Sequence, residues 1–166
     1  MRGRPISFPP SRRVLIDTLY FANKIPILPV QRRMALGALV EARRICPHRP
    51  PWTALFLKAF AILAQQTPEL RRVYIGLPRP HLYEYPSSVG MVSFERNTKD
   101  GAQVFIGRIK NPENCSLAEL TQILRRFNEA PLEEIKDFRR VLVLGRLPRL
   151  LRRFVDRKST RLNSSH

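Results

Sequence analysis

The residues of this sequence that could act as acids or bases at neutral pH are few and widely spaced. Apart from the last residue, the histidines are His48, in the loop "CPHRPP", and His81, in "RPHLYEYP". An imidazole titrates near neutral pH, so either one could serve as a general base. A histidine in a loop or at the end of an element is more often a solvated surface residue. Neither is therefore assigned a catalytic role from its place in the sequence.

Cys46 and His48 form a Cys-Pro-His triplet that could supply two metal ligands. A structural zinc site uses four ligands, usually as two closely spaced pairs, and the other cysteine, Cys115, is isolated. We therefore expect no metal site. The sequence also contains no Gly-rich phosphate-binding loop and no G-x-S-x-G nucleophile elbow. Its residues alone thus indicate no catalytic centre.

Two further groups of side chains have a structural interpretation beside a functional one. Glu133 and Glu134 resemble a carboxylate pair, but neighbouring residues of a helix point in different directions and ordinarily face water. Four aromatic residues near basic ones could stack on nucleic-acid bases, although their spacings are more typical of a strand core. They are Tyr74, Tyr83, Tyr85 and Phe94.

The chain of 166 residues is strongly basic. Its 30 Lys and Arg residues against 13 Asp and Glu give a net charge of +17, which favours anionic partners such as nucleic acid, an anionic membrane surface or the phosphates of coenzyme A. The arginines are dispersed in pairs, whereas nucleic-acid-binding proteins more often concentrate them on one face. A solvated basic surface is favoured, and a basic nucleic-acid-binding module without catalytic activity is the alternative.

The composition indicates a soluble cytoplasmic domain. An apolar fraction of 43% is typical of globular proteins. Two isolated cysteines fit a reducing compartment, and no secretory signal is visible near the N-terminus. The most apolar run, "ALFLKAFAILA", is too short to span a bilayer and contains Lys58, so we expect no membrane partner.

The N-terminal third has helical and extended patterns in turn. Ser11 is a good N-cap for a helix that ends near Asn23 and carries Leu15, Leu19 and Ala22 on one face. Two prolines make residues 24–36 an extended edge segment or strand. The stretch "GALVEARRI" then predicts a short helix, which ends in the loop "CPHRPP".

The strongest periodic signal predicts a long helix after this loop. Its opposite side is also largely apolar, so the helix is expected to be buried between other elements. In the following "TPELRR", Thr67 is the expected cap and Pro68 the first helical residue. The apolar stripe of the long helix consists of Trp52, Leu55, Phe56, Ala59, Phe60 and Leu63.

The C-terminal half predicts a hairpin followed by helices. "SVGMVSFERN" and "AQVFIGRI" alternate as strands do, and Asp100-Gly101 between them is a strong turn signal. "SLAELTQILRRFNEA" opens with Ser116 and Glu119, a capping box, and "LPRLLRRFV" carries another helical stripe. Together the elements predict an α+β fold with an antiparallel hairpin. The helix after the hairpin places on one face Leu117, Leu120, Leu124 and Phe127.

Three of these stretches, in this order, resemble the catalytic domain of the 2-oxo acid dehydrogenase dihydrolipoyl acyltransferases, within the chloramphenicol-acetyltransferase-like superfamily. "WTALFLKAFAILAQQTPELRRVYI" is similar to the family's long buried helix, which carries a lysine at the place of Lys58. "SVGMVSFERNTKDGAQVFIGRIKN" and "NCSLAELTQILRR" are similar to its hairpin and to the helix that follows. The resemblance covers most of residues 5–153 and implies a mixed sheet with packed helices.

The family's catalytic signature, His-x-x-x-Asp-Gly, has no counterpart in this sequence. Asp100-Gly101 has Arg96 four residues before the aspartate, and the family's Ser- and Gly-rich stretch is missing. The final "DRKSTRLNSSH" resembles the translation of a sequencing-library adapter. We therefore predict that residues 1–155 are the N-terminal part of a single acyltransferase domain whose C-terminal strands are missing, and that residues 156–166 are not native.

The resemblance implies a CoA-dependent acyltransferase that, in its full-length form, transfers an acyl group between a thioester and a thiol. It implies coenzyme A or acyl-CoA as substrate and a homotrimeric assembly. Because no lipoyl attachment segment is seen in the chain, a stand-alone bacterial branch of the family is expected. We expect this fragment to be inactive alone, with its catalytic residues lying beyond it and its cofactor-binding residues unassigned.

Overall fold

The computed structural model describes residues 8–22, 29–76 and 79–148. These residues contain five α-helices and four β-strands, so the predicted α+β class is confirmed. The elements in chain order are α1 (Pro10–Ala22), α2 (Gly37–Ile45), α3 (Trp52–Gln66), a short 3-10 helix (Pro68–Arg71), β1 (Arg72–Ile75), β2 (His81–Glu84), β3 (Val89–Thr98), β4 (Gly101–Lys110), α4 (Leu117–Glu129) and α5 (Lys136–Arg146).

The strands form two sheets of two strands each in the described part of the chain. β1 and β2 are antiparallel, and their register pairs Arg72 with Glu84 and Ile75 with His81. β3 and β4 form the predicted hairpin across a two-residue turn. The first residue of β4, Gly101, has a φ of 90°, a conformation that side chains disfavour and glycine accepts. The Asp-Gly turn signal is thus confirmed.

Four helical predictions are confirmed in their position. α2, α3 and α4 span the residues that their patterns indicated, and α1 ends one residue before the predicted end. The capping box of α4 is also formed: the Glu119 amide donates to Ser116 Oγ at 3.2 Å, and the Ser116 amide donates to Glu119 Oε2 at 2.7 Å. Local periodicity and capping chemistry therefore determine where these helices lie.

The predicted cap of α1 is wrong. The helix begins one residue earlier, at Pro10, and Ser11 is buried inside its first turn. The Ser11 hydroxyl donates to Gln103 Oε1 of β4 instead of capping its own helix. Leu19, on the face expected to be buried, is exposed, whereas Asp17 is buried. Tertiary contacts with β4 and α5 have decided which face of α1 is covered.

Three further predictions differ from the structure or lie outside it. For the expected extended edge segment or strand at 24–36, residues 29–36 form no strand and residues 24–28 lie outside the described part. Thr67 precedes the 3-10 helix but makes no side-chain capping bond. Residues 149–166, which include most of the stripe in "LPRLLRRFV" and the tail, are also outside the described part.

Helix α5 was not predicted, although Ile135, Phe138, Val141 and Leu142 have the spacing of a helical apolar face. Phe138 and Gly145 are the buried residues of this helix. A Cβ at Gly145 would overlap the backbone carbonyl of Pro10, at the start of α1. Close approach of the two helices therefore requires glycine there.

The described residues belong to two compact units. The first unit comprises those of Met1–Leu28, Ser93–Gly107 and Ala130–His166, and the second those of Pro29–Val92 and Arg108–Glu129. The first unit has an aromatic core, in which the ring of Phe138 lies 5.0 Å from that of Phe105 and 6.4 Å from that of Phe94. Phe105 and Phe138 are fully buried.

The core of the second unit lies between α3 and α4, which contact each other. α4 buries most of its predicted stripe, namely Leu120, Leu124 and Phe127. α3 buries small residues instead, namely Ala54, Ala61 and Ala64.

Much of the predicted stripe of α3 is exposed. Phe56, Phe60 and Leu63 are 43%, 56% and 49% exposed. The expectation that α3 is covered on all sides is therefore wrong for the part of the chain that the structure describes.

Candidate functional site

The most specific polar site of the second unit is centred on Lys58, in the middle of α3. Its ammonium group donates to the carbonyl oxygens of Glu113 at 2.5 Å and Cys115 at 2.7 Å. Both carbonyls belong to the turn immediately before α4. A half-buried ammonium held by two carbonyls is satisfied as a hydrogen-bond donor. Lys58 therefore positions the start of α4 against α3.

Glu113 is itself held in place by Ser88, at the start of β3. Ser88 Oγ donates to Glu113 Oε2 at 2.6 Å. Burial raises the pKa of Glu113. Hydrogen bonds from Ser88 and from the backbone, together with the charge of Arg71, lower it by a larger amount, so the pKa lies below its ordinary value. The carboxylate is thus ionised at neutral pH and already occupied, which makes it unsuited to proton abstraction.

The capping box of α4 completes this polar cluster. The hydrogen bonds from the Ser116 backbone and side chain, with the charge of Lys58, lower the pKa of Glu119. A negative charge in the first turn of a helix is also stabilised by the helix dipole. Lys58, Glu113 and the capping box together hold three segments, α3, the start of β3 and α4, in a defined arrangement.

A second polar cluster joins the end of α3 to the β1–β2 sheet. Arg71 Nε donates to the Ala64 carbonyl at 2.9 Å, and its Nη1 donates to the Tyr85 carbonyl. Arg72 forms ion pairs with Glu84 at 3.0 Å and Glu69 at 2.9 Å. The hydrogen bond to Glu84, together with both acidic charges, raises the pKa of Arg72. These arginines bind the protein's own groups, which gives them a structural role.

The histidines do not meet a nucleophile among the described residues. His48 lies exposed in the turn after α2. His81 lies exposed on β2, where its Nδ1 is 2.7 Å from the carbonyl oxygen of Arg79. Across residues 8–22, 29–76 and 79–148, no three His, Cys, Asp or Glu side chains form a group that could hold a metal ion. Neither His48 nor Cys46 is therefore part of a visible ligand set.

The other candidate side chains have structural positions. Glu133 and Glu134 lie exposed in the turn before α5 and not on a helix. Phe94 is buried as a strand-core residue should be, and Tyr83 and Tyr85 are half-buried and contact each other edge to face. Tyr74 is the exception, because two thirds of it is exposed. No row of stacking aromatics for nucleic acid is formed by these four.

The Asp100-Gly101 pair forms the hairpin turn. The Asp100 amide donates to Thr98 Oγ1 at 3.2 Å, and the Thr98 hydroxyl donates to the Gly101 carbonyl at 2.9 Å. Arg96, at the position where the family signature would require histidine, donates to the Ala130 carbonyl at 2.9 Å. The pair and Arg96 therefore have structural roles in the first unit.

A further polar contact that the sequence did not indicate lies at Gln103 of β4. Gln103 is buried in the strand face that also buries Phe105, and its Nε2 donates to Thr98 Oγ1 at 2.8 Å. A pocket beside it has a volume of ≈ 70 Å³, well below that of a coenzyme site. The lining residues are Ser11, Arg12, Leu15, Ala102, Gln103 and Val104.

Among the helices of residues 8–22, 29–76 and 79–148, none is long and apolar enough to cross a bilayer.

Comparison with known proteins shows a likeness in structure. No known family model matches the chain, and no curated protein matches it. The structure is similar to the crystal structure of a truncated catalytic core of the 2-oxoacid dehydrogenase multienzyme complex from Thermoplasma acidophilum, with a TM-score of 0.57 and 19% sequence identity. The likeness covers 81% of this chain and 65% of that chain. The chain therefore shares its α+β fold with the catalytic core of a 2-oxoacid dehydrogenase complex, over less than two thirds of that core's length.

Proposed function

We propose that this chain is the supporting part of an acyltransferase of the 2-oxo acid dehydrogenase type, with a chloramphenicol-acetyltransferase-like fold. The observation that carries the proposal is the likeness of fold over 81% of the chain. It is supported by the order of the three resembling stretches, which lie on α3, on the β3–β4 hairpin and on α4. In the complete protein, the acyl group passes from a thioester to a thiol.

The chemistry requires groups that the described residues do not bring together. A general base removes the proton of the acceptor thiol, and the resulting thiolate attacks the thioester carbonyl. The tetrahedral intermediate then expels the donor's sulfur as a thiolate, which takes the proton from the base. A hydrogen-bond donor stabilises the oxyanion of that intermediate. We assign the base to a His-x-x-x-Asp-Gly segment on further polypeptide, and to this chain the scaffold that holds one wall of the site.

The exposed stripe of α3 supports the existence of such further polypeptide. Three large apolar side chains in a row are rarely left in contact with water by a folded domain. The matched solved structure also contains a portion, more than a third of its length, without counterpart in this chain. We propose that the segment carrying the base covers α3 in the complete fold, and that the complete protein is a homotrimer.

Coenzyme A thioesters are the proposed acyl donors. The net charge of +17 suits a substrate that carries several phosphates. A small thiol, rather than a lipoyl group on the same chain, is the proposed acceptor, and the cytoplasm is the proposed location.

The proposal is tested with the 166-residue chain and with a form extended at its C-terminus from the same gene. Consumption of acetyl-CoA thioester is followed with dihydrolipoamide and with other small thiols as acceptors. We expect the 166-residue chain to give the uncatalysed rate and the extended form to be active. Replacing its signature histidine with alanine should lower the rate by about 10²–10⁴-fold.

Two results would contradict the proposal. The first is a gene whose natural end lies at the end of this chain, and the second is an extension without the His-x-x-x-Asp-Gly segment. A salt titration of binding to duplex RNA is the control for the alternative function, because affinity for nucleic acid falls steeply with salt in any basic module. Acyl transfer by the extended form, with only weak and salt-sensitive RNA binding, would favour the proposal.

A further inference from the structure

The 29–51 segment, which consists of residues 29–51 and contains α2, has an unusual surface. α2 buries none of its residues, whereas α3, α4 and α5 each bury at least two. Three apolar side chains of the segment are largely in water: Val30 is 85% exposed, Met34 61% and Ile45 78%. Single apolar residues are normal on a surface, but several exposed ones in one short segment favour an interaction site.

One arginine links the end of α2 to the loop that leads into α3. Arg43 Nε donates to the carbonyl of Pro50 at 2.7 Å, and the guanidinium lies 5.0 Å from the centre of the Trp52 ring. Pro50 is buried. A guanidinium stacked on an indole ring gives a favourable cation–π contact. α2 is therefore linked to the following loop and helix near its C-terminal end, and it has no buried residues of its own.

The charge of the segment is mostly positive. Four of its arginines are exposed, namely Arg32, Arg33, Arg44 and Arg49. Its one acidic residue, Glu41, is paired with Arg44 at 3.0 Å. All cations of the segment are arginines and none is lysine. Protein interfaces are enriched in arginine and methionine and depleted of lysine, so this composition is typical of a protein-binding surface.

We propose that the 29–51 segment is a docking surface for another protein, whose matching face has an apolar centre surrounded by acidic side chains. The partner's apolar residues cover Met34 and Ile45, and its carboxylates pair with Arg32 and Arg33. Charge complementarity of this kind steers association and selects the partner. The proposal stands independently of the acyl-transfer function.

Other occupants fit the surface less well. The same surface on a second copy of this chain would place exposed arginines opposite one another, and like charges disfavour such a contact. Helices that lie on membranes are usually anchored by Trp or Phe, and residues 29–51 contain no aromatic side chain. Single-stranded nucleic acid likewise requires aromatic platforms, and would leave the apolar side chains uncovered.

The test uses Trp52, the single tryptophan of the chain, as a reporter at the edge of the segment. The probe is a synthetic peptide of about 18 residues, long enough to form a helix on binding, with leucines on one face flanked by glutamates. The comparison probes are a peptide of the same composition in scrambled order, polyglutamate, anionic phospholipid vesicles and a short duplex RNA. Fluorescence of Trp52 is followed as each probe is added to the full 166-residue chain.

We expect the amphipathic acidic peptide to change Trp52 emission saturably, and the scrambled peptide to bind about tenfold more weakly or worse. The double variant Arg32→Glu/Arg33→Glu should weaken binding by about tenfold or more. The matched variant Arg139→Glu/Arg140→Glu, with the same charge change at two exposed residues of α5, should alter it by less than about twofold. Met34→Asp tests the apolar centre separately, and should also weaken binding.

Several results would overturn the proposal. They are the absence of a Trp52 response to the amphipathic peptide, equal binding of the scrambled peptide or polyglutamate, stronger binding of vesicles or RNA, and equal loss in both double variants. Circular dichroism shows whether each variant keeps its helical content. If Arg32→Glu/Arg33→Glu loses it, unchanged binding by Met34→Asp overturns the proposal and weakened binding supports it.

Discussion

Helices α3 and α4 lie side by side in the second unit and carry comparable apolar stripes, but they use them differently. α4 buries Leu120, Leu124 and Phe127 of its stripe and exposes its arginines. α3 does the opposite with its own stripe. Its small residues are buried, and the large apolar side chains of Phe56, Phe60 and Leu63 are exposed. The contact between α3 and α4 is therefore made from the small-residue side of α3.

The difference shows what a periodic pattern can and cannot indicate. Apolar residues at helical spacing identify a face that must be covered in the working protein. They do not indicate whether the cover is part of the same stretch of chain. For α4 it is, and Lys58 of α3 even supplies the polar contact that fixes its start. For α3 the cover is provided by none of the described residues.

The largest expected effect contrasts one residue from each stripe. Leu120→Ala removes a fully buried side chain and should lower the free energy of unfolding by about 2–5 kcal/mol. Phe60→Ala removes a side chain that is more than half exposed, and should lower it by less than about 1 kcal/mol in the 166-residue chain. Urea denaturation of both variants measures the two values. Equal losses would show that the α3 stripe is covered in solution and would remove the contrast.

A second pair of variants extends the comparison to α5, which is closely packed, and α2, which is not. Gly145→Ala places a methyl group against the Pro10 backbone and should destabilise by about 1–3 kcal/mol. Gly37→Ala, at the start of α2, meets nothing within 4 Å and should stabilise by up to about 1 kcal/mol. Thermal unfolding followed by circular dichroism compares them. A neutral Gly145→Ala would contradict the close approach of α5 to α1.

The polar link between α3 and α4 is tested with Lys58→Met. The substitution keeps the length of the side chain but leaves the carbonyls of Glu113 and Cys115 without their donor, which should destabilise by about 1–3 kcal/mol. Lys110→Met, at an exposed lysine on β4, is the matched control and should change stability by less than about 0.5 kcal/mol. Similar values for the two variants would mean that Lys58 does not hold α4.

The smallest expected effect is a pH dependence at the same link. Because the pKa of Glu113 is lowered in the folded state from its ordinary value of 4.5, its contribution to stability is complete above about pH 4.5 and is lost as the pH falls through the folded pKa. Glu113→Gln should therefore flatten the fall of stability below that pH. Glu133→Gln, in an exposed turn, is the comparison variant. Urea midpoints from pH 6 to about pH 3 measure the difference. An unchanged slope in Glu113→Gln would contradict the role of the Ser88–Glu113 bond.

Much of the fold could be predicted because its signals are local. The capping box at Ser116, the turn at Gly101 and the spacing of α4 each involve residues within one element, and all three are confirmed. α5 was missed although its apolar spacing is local too. The reason for its Gly145 could not be predicted, since it is a contact with Pro10, far away in the chain. The residues of the candidate site also differ in how far the sequence predicts their role. That His48 and His81 are exposed surface residues could be predicted from their places in the sequence, but the use of Lys58 as an anchor could not.

The sequence by itself determined the positions of most helices and of the hairpin, the excess of positive charge and the absence of a His-x-x-x-Asp-Gly signature in this chain. These depend on side-chain type and on spacing over a few residues. Only the tertiary structure decided that Ser11 is buried against Gln103, that α3 turns its large apolar side chains outward and that α2 buries nothing. Such choices depend on which faces meet across long separations in the chain, where burial and hydrogen bonding outweigh the preference of any single element.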